Sequence, residues 1–474
     1  MPWLGFWPLR DAFGPRRVAI GQPIGRYVDH AFVMYAVLFA LALAAACTSA
    51  AQQPQRARAG DVTAIANVTV FDGTGARPRP EMTVVIRGES IVALGPAGKT
   101  AIPASAKIVD GRGGFLMPGL WNMHVHGGSY DAARKALPVL LAHGVTGVRD
   151  MGMPLDDAIR LKRNDSRDGP HVFVAGPLVQ GPLPFENPLI VQVKRPADAA
   201  ATIAMLKQRG VDFIKIHDAV PEDIYLAVAA AARRAQLPFV GHIPPTVTVD
   251  QAIEVGQRSI EHLGGQFLAV LIGASADAEK LHATTTKFYR DAIARLAQGK
   301  EPEAPQLRAA FLRAVLDSYR ADKAQALFSR FAHAKIWHCP TLVALEKLAL
   351  DHPELDADDK RLNEARFERE LEVVHAMNAA GVPLLVGTDT PYADAGPALY
   401  RELELLVRAG IPAGEALRAA TSGATEFLGL SRSVGTIAVG MRADLVLLAG
   451  DPVADIKNVG RVKAVFFAGR VVTR

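Results

Sequence analysis

Three observations predict a (β/α)8 TIM barrel carrying a small β-sandwich. From His124 to Asp389, apolar strand-like runs alternate with helical segments, and eight such strands are reached. Histidines and other polar residues recur where those runs end, the end at which this architecture places its active sites. Alternating strand patterns also stand before and after that region, as if both flanks of the chain paired into one accessory unit.

The chain has 474 residues, half of them hydrophobic, which exceeds one ordinary core but suits a large barrel with an addition. Net charge is +5, with Lys and Arg interspersed among acids and no long basic block, so nucleic acid is not an expected partner. The two cysteines, Cys47 and Cys339, provide no disulfide framework.

In chain order, residues 1–60 read as an export signal and a flexible lead-in. Arg10, Arg16, Arg17 and Arg26 precede an apolar run over 31–46 that is short for a membrane span. Ala44-Ala45-Ala46 before Cys47 suits signal cleavage, and a lipid on Cys47 is the alternative. The expected location is periplasmic or secreted, with membrane contact only through this segment or that lipid. Whether copies associate into a homo-oligomer is left open.

Strands follow at 64–71, 82–87 and 90–94, the last two around the turn Gly88-Glu89, then at 106–109 and 115–117. With strands at 443–448, 462–467 and 471–472 they form the expected composite β-sandwich of 61–118 and 429–474. The barrel is expected over 119–428. Its helices read at 132–143, 155–162, 197–208, 221–236 and 249–256, then at 358–380, 398–409 and 412–428. Its strands after the first read at 145–149, 171–175, 213–216, 239–242, 259–262, 336–338 and 383–389. The stretch 267–334, dense in mixed charge, reads as a helical insertion over one end.

Chemistry concentrates first in Pro118-Gly-Leu-Trp-Asn-Met-His-Val-His-Gly127. Side chains alternate faces along a strand, so His124 and His126 point one way with Asn122, and Met123 and Val125 the other. Two imidazoles on one face can grip one metal ion. The other polar strand ends are Lys215, His242, His262 and Asp389. Together these are the donors that a pair of divalent metals needs. Lys215 lies between Ile214 and Ile216, where a bare ammonium is costly to bury. Such a lysine can lose its proton and take up carbon dioxide, giving a carbamate. Singly, each of these residues has an ordinary structural reading: a core histidine, a snorkelling lysine, or Asp389 as a helix N-cap. Weaker candidates for touching substrate are Tyr130, Arg149, His217 and His338. Arg149 with Asp150 reads either as a salt-bridged pair or as a carboxylate clamp.

The ordered set 118–126, Gly144-Val-Thr-Gly-Val-Arg-Asp-Met-Gly152, Asp212-Phe-Ile-Lys-Ile216, Gly241-His242, Ser259-Ile-Glu-His-Leu263 and Val386-Gly-Thr-Asp389 resembles the amidohydrolase superfamily. The resemblance runs from Val62 to the end of the chain. It is nearest the imidazolonepropionase-like branch that includes Xaa-Pro dipeptidases and ochratoxinase-type amidases. It implies two divalent metals, most often zinc: one on His124, His126 and Asp389, the other on His242 and His262, with carboxylated Lys215 bridging. It implies attack by a metal-bridging hydroxide on an amide carbonyl, with Asp389 passing the proton to the leaving amine. The implied substrate is a dipeptide or N-acyl amino acid, a small molecule or short peptide. Two departures stand out. Many relatives carry Asp where this chain has Asn122, and single-metal imidazolonepropionases and deaminases lack the bridging lysine. A cyclic amide, a lactone or an ester would use the same site. A metal-free binding or scaffold protein is the rival of another class.

Overall fold

The computed structural model describes residues 61–472, apart from 165–168, 266, 301–304 and 352–354. The expected export segment and Cys47 lie outside the described residues.

The strands are β1 (Val62–Val70), β2 (Arg79–Arg87), β3 (Ser90–Pro96), β4 (Lys107–Asp110), β5 (Phe115–Pro118), β6 (Leu120–His126), β7 (Val145–Asp150), β8 (His171–Val174) and β9 (Leu178–Gln180). They continue with β10 (Ile190–Gln192), β11 (Ile214–Ile216), β12 (Phe239–Gly241), β13 (Ser259–Glu261), β14 (Trp337–Cys339), β15 (Thr390–Pro391), β16 (Leu445–Leu448), β17 (Val462–Phe467) and β18 (Arg470–Val472).

The two flanks of the chain do pair. One eight-stranded sheet has the order β18-β17-β16-β5-β1-β2-β3, with β4 beside β1. β5 is its seam: it runs parallel to β1 and antiparallel to β16, from Leu445 opposite Pro118 to Leu448 opposite Phe115. Ile65, Val84, Ile86, Leu116, Leu445 and Phe466 fill the core over this sheet. The residues between them turn to the other face and are buried there too, Val85 with Ala64 and Val446 and Leu448 in the core shared with the helices, so the middle of the sheet is covered on both sides.

The remaining strands are all parallel and lie in two sheets, β15-β6-β7-β8 and β10-β9-β11-β12-β13-β14. The segment 383–386 links them, with a parallel bridge from Leu384 to His338 and a hydrogen bond from Met123 N to Val386 O. On the other side Asp212 N donates to Val174 O, joining the entry of β11 to β8. Helices such as Tyr130–Ala142, Ala199–Arg209 and Glu222–Ala235 cover the parallel strands, burying Leu137, Leu140, Ile203, Val228 and their neighbours. The fold is thus a mixed α/β body with parallel sheets and helical crossovers.

The stretch read as an insertion contains the helices Ala269–Gly273, Ala278–Ala297, Pro305–Asp317 and Ala321–Ala334. Three features differ from expectation. β9 and β10 were not anticipated, and neither was the helix Leu342–Leu350. The segment read as a strand over 383–389 forms only the bridge at Leu384, before the two-residue β15.

Candidate metal centre

β6 does not alternate strictly. Its pairing with β7 shifts register between Leu120 and Trp121 and again between Asn122 and Val125. Trp121 and Met123 both enter the interior cluster with Phe213, Val240 and Cys339, whereas Val125 packs among the helices. The expected common face for Met123 and Val125 is therefore corrected by these bulges, which re-aim side chains beside a site. His124 and His126 still approach each other, with ring centroids 5.3 Å apart.

Asp389 is brought to them through the backbone. Its N–H donates to His124 O at 2.8 Å, and Thr388 N donates to the same oxygen at 3.1 Å. Asn122 fastens the two segments, donating to Thr388 Oγ1 at 2.9 Å and to Ala395 O at 3.2 Å. Asp389 adopts φ 55°, a left-handed conformation that its packing must sustain. Its Oδ1 lies 2.9 Å from His126 Nε2 and 3.4 Å from His124 Nε2, and its Oδ2 lies 3.8 Å from His262 Nε2. Burial opposes its charge, but His262, His124 and His126 outweigh burial and hold the carboxyl well below the usual range. Asp389 does not stand at a helix N-cap: the residue before Ala395–Arg408 is Asp394, whose side chain makes no capping hydrogen bond.

On β11, Ile214 and Ile216 face the helices while Lys215 turns inward. Its Nζ is buried without a hydrogen-bond partner among the described residues. Burial pushes the ammonium down to about 8, although Glu261 and Asp389 oppose the shift. His242 follows Gly241, whose φ of +127° brings its backbone against β11; a Cβ there would sit 2.2 Å from Ile216 O. His262 and Leu263 have φ 52° and 53° at the end of β13. The His262 ring is 4.6 Å from that of His124 and 5.0 Å from that of His242. The six candidates thus form one group drawn from five segments.

Three of the four imidazoles share one protonation pattern. His124 Nδ1 donates to Glu261 Oε2 at 2.9 Å, and His242 Nδ1 donates to Asp218 Oδ1 at 2.8 Å. His262 Nδ1 meets Thr341 Oγ1, whose own proton goes to Pro340 O, so that oxygen accepts. His126 Nδ1 makes a longer contact, 3.4 Å, to Gly152 O. In His124, His242 and His262 the Nδ1 faces an acceptor and holds the proton, which leaves the Nε2 lone pair available. This is how metal-binding histidines are oriented. His126 Nε2 instead donates to the ionised Asp389 Oδ1 at 2.9 Å, a bond that raises its imidazole against the opposing effect of burial. The ligand atoms of His124, His126 and Asp389 lie within 4.8 Å of one another. The set fits divalent cations: lone pairs that converge, an ionised carboxylate, and a buried Lys215 nitrogen with no partner.

Glu261, one residue before His262, was not anticipated. It accepts from Arg149 Nη2 at 3.0 and 2.9 Å and from Ser259 Oγ at 2.6 Å. Arg149 also donates to Met123 O and is wholly enclosed. The geometry therefore supports a salt-bridged role for Arg149, with Glu261 rather than Asp150 as its partner, and leaves no face for a substrate carboxylate. Against burial, Arg149 and His124 hold the Glu261 carboxyl well below its ordinary range. His338 turns away from the group. Its ring lies 4.5 Å from Phe331 of the helix Ala321–Ala334, while Cys339 beside it faces His124 and Glu261. Burial lowers the His338 imidazole to about 3. Tyr130 opens the first helix with the Arg160 guanidinium 3.7 Å over its ring. His217 lies within the group, its ring 4.4 Å from that of His242.

Parallel strands whose ends gather imidazoles, a carboxylate and a buried amine define a class of hydrolase built around divalent metals. The family described as the amidohydrolase family matches residues 115–472, and the chain belongs to it as an enzyme of that family. Solved structures agree in fold. A Xaa-Pro dipeptidase with methionine bound in its active site is 18% identical with a TM-score of 0.64, covering 87% of this chain and 99% of that one. A bottromycin amidohydrolase is 24% identical with a TM-score of 0.65, covering 86% of each chain. The ochratoxinase of A. niger is 19% identical with a TM-score of 0.62, covering 87% of this chain and 96% of that one. No curated protein matches the sequence.

Proposed function

We propose that the chain hydrolyses the amide bond of a dipeptide or an N-acyl amino acid at a two-metal centre, on a closed (β/α)8 barrel whose accessory sheet curls into a sandwich. His124, His126 and Asp389 would hold one metal, and His242 and His262 the other. Lys215, as a carbamate, would bridge them. When bound, two divalent cations, zinc by preference, acidify a water and polarise a carbonyl.

The protein's own residues supply the rest. Glu261, Asp218 and Thr341 hold three imidazoles with Nε2 unprotonated. Asp389, kept ionised, takes a proton at Oδ2, the oxygen with the looser imidazole contact, and passes it to the leaving amine. The observation that carries the reading is Lys215: a buried, unpartnered amine in the midst of unprotonated nitrogens has no structural purpose of its own.

The test is metal content together with hydrolysis of a panel of Xaa-Pro, Xaa-Arg and N-acyl-aromatic amino acids. Wild type reconstituted with zinc and bicarbonate is expected to bind two metals and cleave at least one member. Lys215→Ala is expected to lose at least one metal and all activity. Full activity of Lys215→Ala, or wild type without affinity for divalent metal, overturns the proposal. Export through 1–60 is supported by the sequence pattern, and cell fractionation tests it.

A further inference from the structure

We propose that His217 is a fixed hydrogen-bond donor to the carbonyl oxygen of the bond being cut, and that Gln180 sets it in that role. The proposal rests on reading the site as an amide hydrolase.

The argument begins at a backbone amide. Ala219 N–H can only donate, and it points at the Gln180 side chain at 2.8 Å, so the oxygen Oε1 must face it. This fixes the amide, which is wholly buried. Gly181 N donates in return to Ala219 O, so two hydrogen bonds lock β9 to the loop after β11. The Gln180 NH2 is then the group that meets His217 Nδ1, at 2.8 Å. An NH2 also can only donate, so Nδ1 must accept and carry no proton. The proton of the neutral imidazole is on Nε2. Asp218 Oδ2 lies 3.8 Å from Nδ1, too far to compete for it.

His217 is thus the inverse of its neighbours. His124, His242 and His262 have Nδ1 against an acceptor and a free Nε2 lone pair, and His126 Nε2 is held by Asp389. His217 has Nδ1 against a donor and a proton on Nε2, which cannot ligate and can donate. Its ring lies 4.4 Å from that of His242, and its side chain keeps 12% of its exposure. Among the described residues, no group takes the Nε2 proton. As an amide carbon becomes tetrahedral, negative charge gathers on its oxygen. A donor fixed beforehand by buried groups stabilises that charge without reorganising. His217 is the group that would touch substrate; Gln180 is a positioning residue acting through it.

The experiment has two readouts. First, the metal-free protein is labelled with 15N-histidine, and two-bond 1H–15N correlations report which ring nitrogen carries the proton. His217→Gln assigns the signal among the 13 histidines. Wild type is expected to show His217 protonated on Nε2 alone. In Gln180→Glu, where an acceptor replaces the donor, the proton is expected on Nδ1. A wild-type His217 with Nδ1 protonated overturns the proposal whatever the enzyme's substrate. Second, on a panel member that wild type cleaves, His217→Leu is expected to lower kcat about 100-fold with KM within about threefold and metal content unchanged. His217→Gln, which keeps an N–H near the same place, is expected to retain more activity. A rise in KM with kcat unchanged marks a ground-state anchor and sinks the donor role. The labelling readout needs no turnover, so failure of the hydrolase reading and failure of this one are told apart.

Discussion

Lys215 pays a stability cost that the metal-free protein should reveal. Its ammonium is pushed from the ordinary 10.5 to about 8 by burial. Between those values the unfolded chain holds a proton that the folded chain has lost, so stability rises with pH across that window. Below pH 8 both states are protonated and the whole penalty stands, about 3 kcal/mol at 1.36 kcal/mol per pH unit. Metal-free Lys215→Met should therefore be more stable than wild type by up to that amount at pH 7, with the gap closing between pH 8 and 10.5. Urea unfolding across that range checks it, and a pH-independent gap would count against a buried charged lysine. The Arg149–Glu261 pair gives a second prediction. Glu261→Leu leaves a buried guanidinium unpaired and should cost about 3–5 kcal/mol, whereas adding Arg149→Met should recover most of that loss. Neither variant restores the acceptor for His124 Nδ1, so zinc affinity should fall about 10–100-fold in both, measured by competition with a chelator. The six candidate ligands stood out in the sequence because each is a polar residue set in, or closing, an apolar run. Glu261, Asp218, Thr341 and Gln180 were not, since their partners stand 137, 24, 79 and 37 residues away and the contact exists only in the folded chain.

At the scale of elements, the crossing helices were legible from their period and the flanking strands from their alternation. β9 and β10 were not: three residues each give no period to read. The bulges of β6 were hidden for another reason, because a register shift is decided by the neighbouring strand. Gly241 shows how an element end places a ligand. Its φ of +127° and the approach of Ile216 O leave no room for a side chain. Gly241→Ala should cost more than about 1 kcal/mol and displace His242, so zinc stoichiometry should drop while His124 and His126 still bind. Thermal unfolding and metal counting test this; an unchanged stoichiometry would show that the loop yields. The capping box of Thr248 and Gln251, which starts the helix Val249–Glu254, offers a milder comparison. Thr248→Ala should lower stability by about 1 kcal/mol and leave the metal count alone.

At the scale of the molecule, the pairing of the two flanks was legible in outline, but its seam was not. β5 lies between β1 and β16, and with only Gly119 between them β6 begins its run to His124. Removing residues 462–474 deletes β17 and β18 and takes the fully buried Phe466 from the core over the sheet. The shortened chain should fail to unfold cooperatively and should bind zinc weakly. A soluble truncate with an intact calorimetric transition would mean that the accessory sheet is dispensable.

The seam also orders events during synthesis. Neighbours of β5 come from an early stretch and from one of the last stretches made, and Asp389 also emerges late. The nascent chain must therefore hold its first histidines beside an unfinished sheet while more than 300 further residues leave the ribosome, β16 lying beyond position 444. Chaperone dependence in the cell should accordingly track the delay before the final strands appear, and slowing translation over the helical insertion should lower the yield of soluble protein.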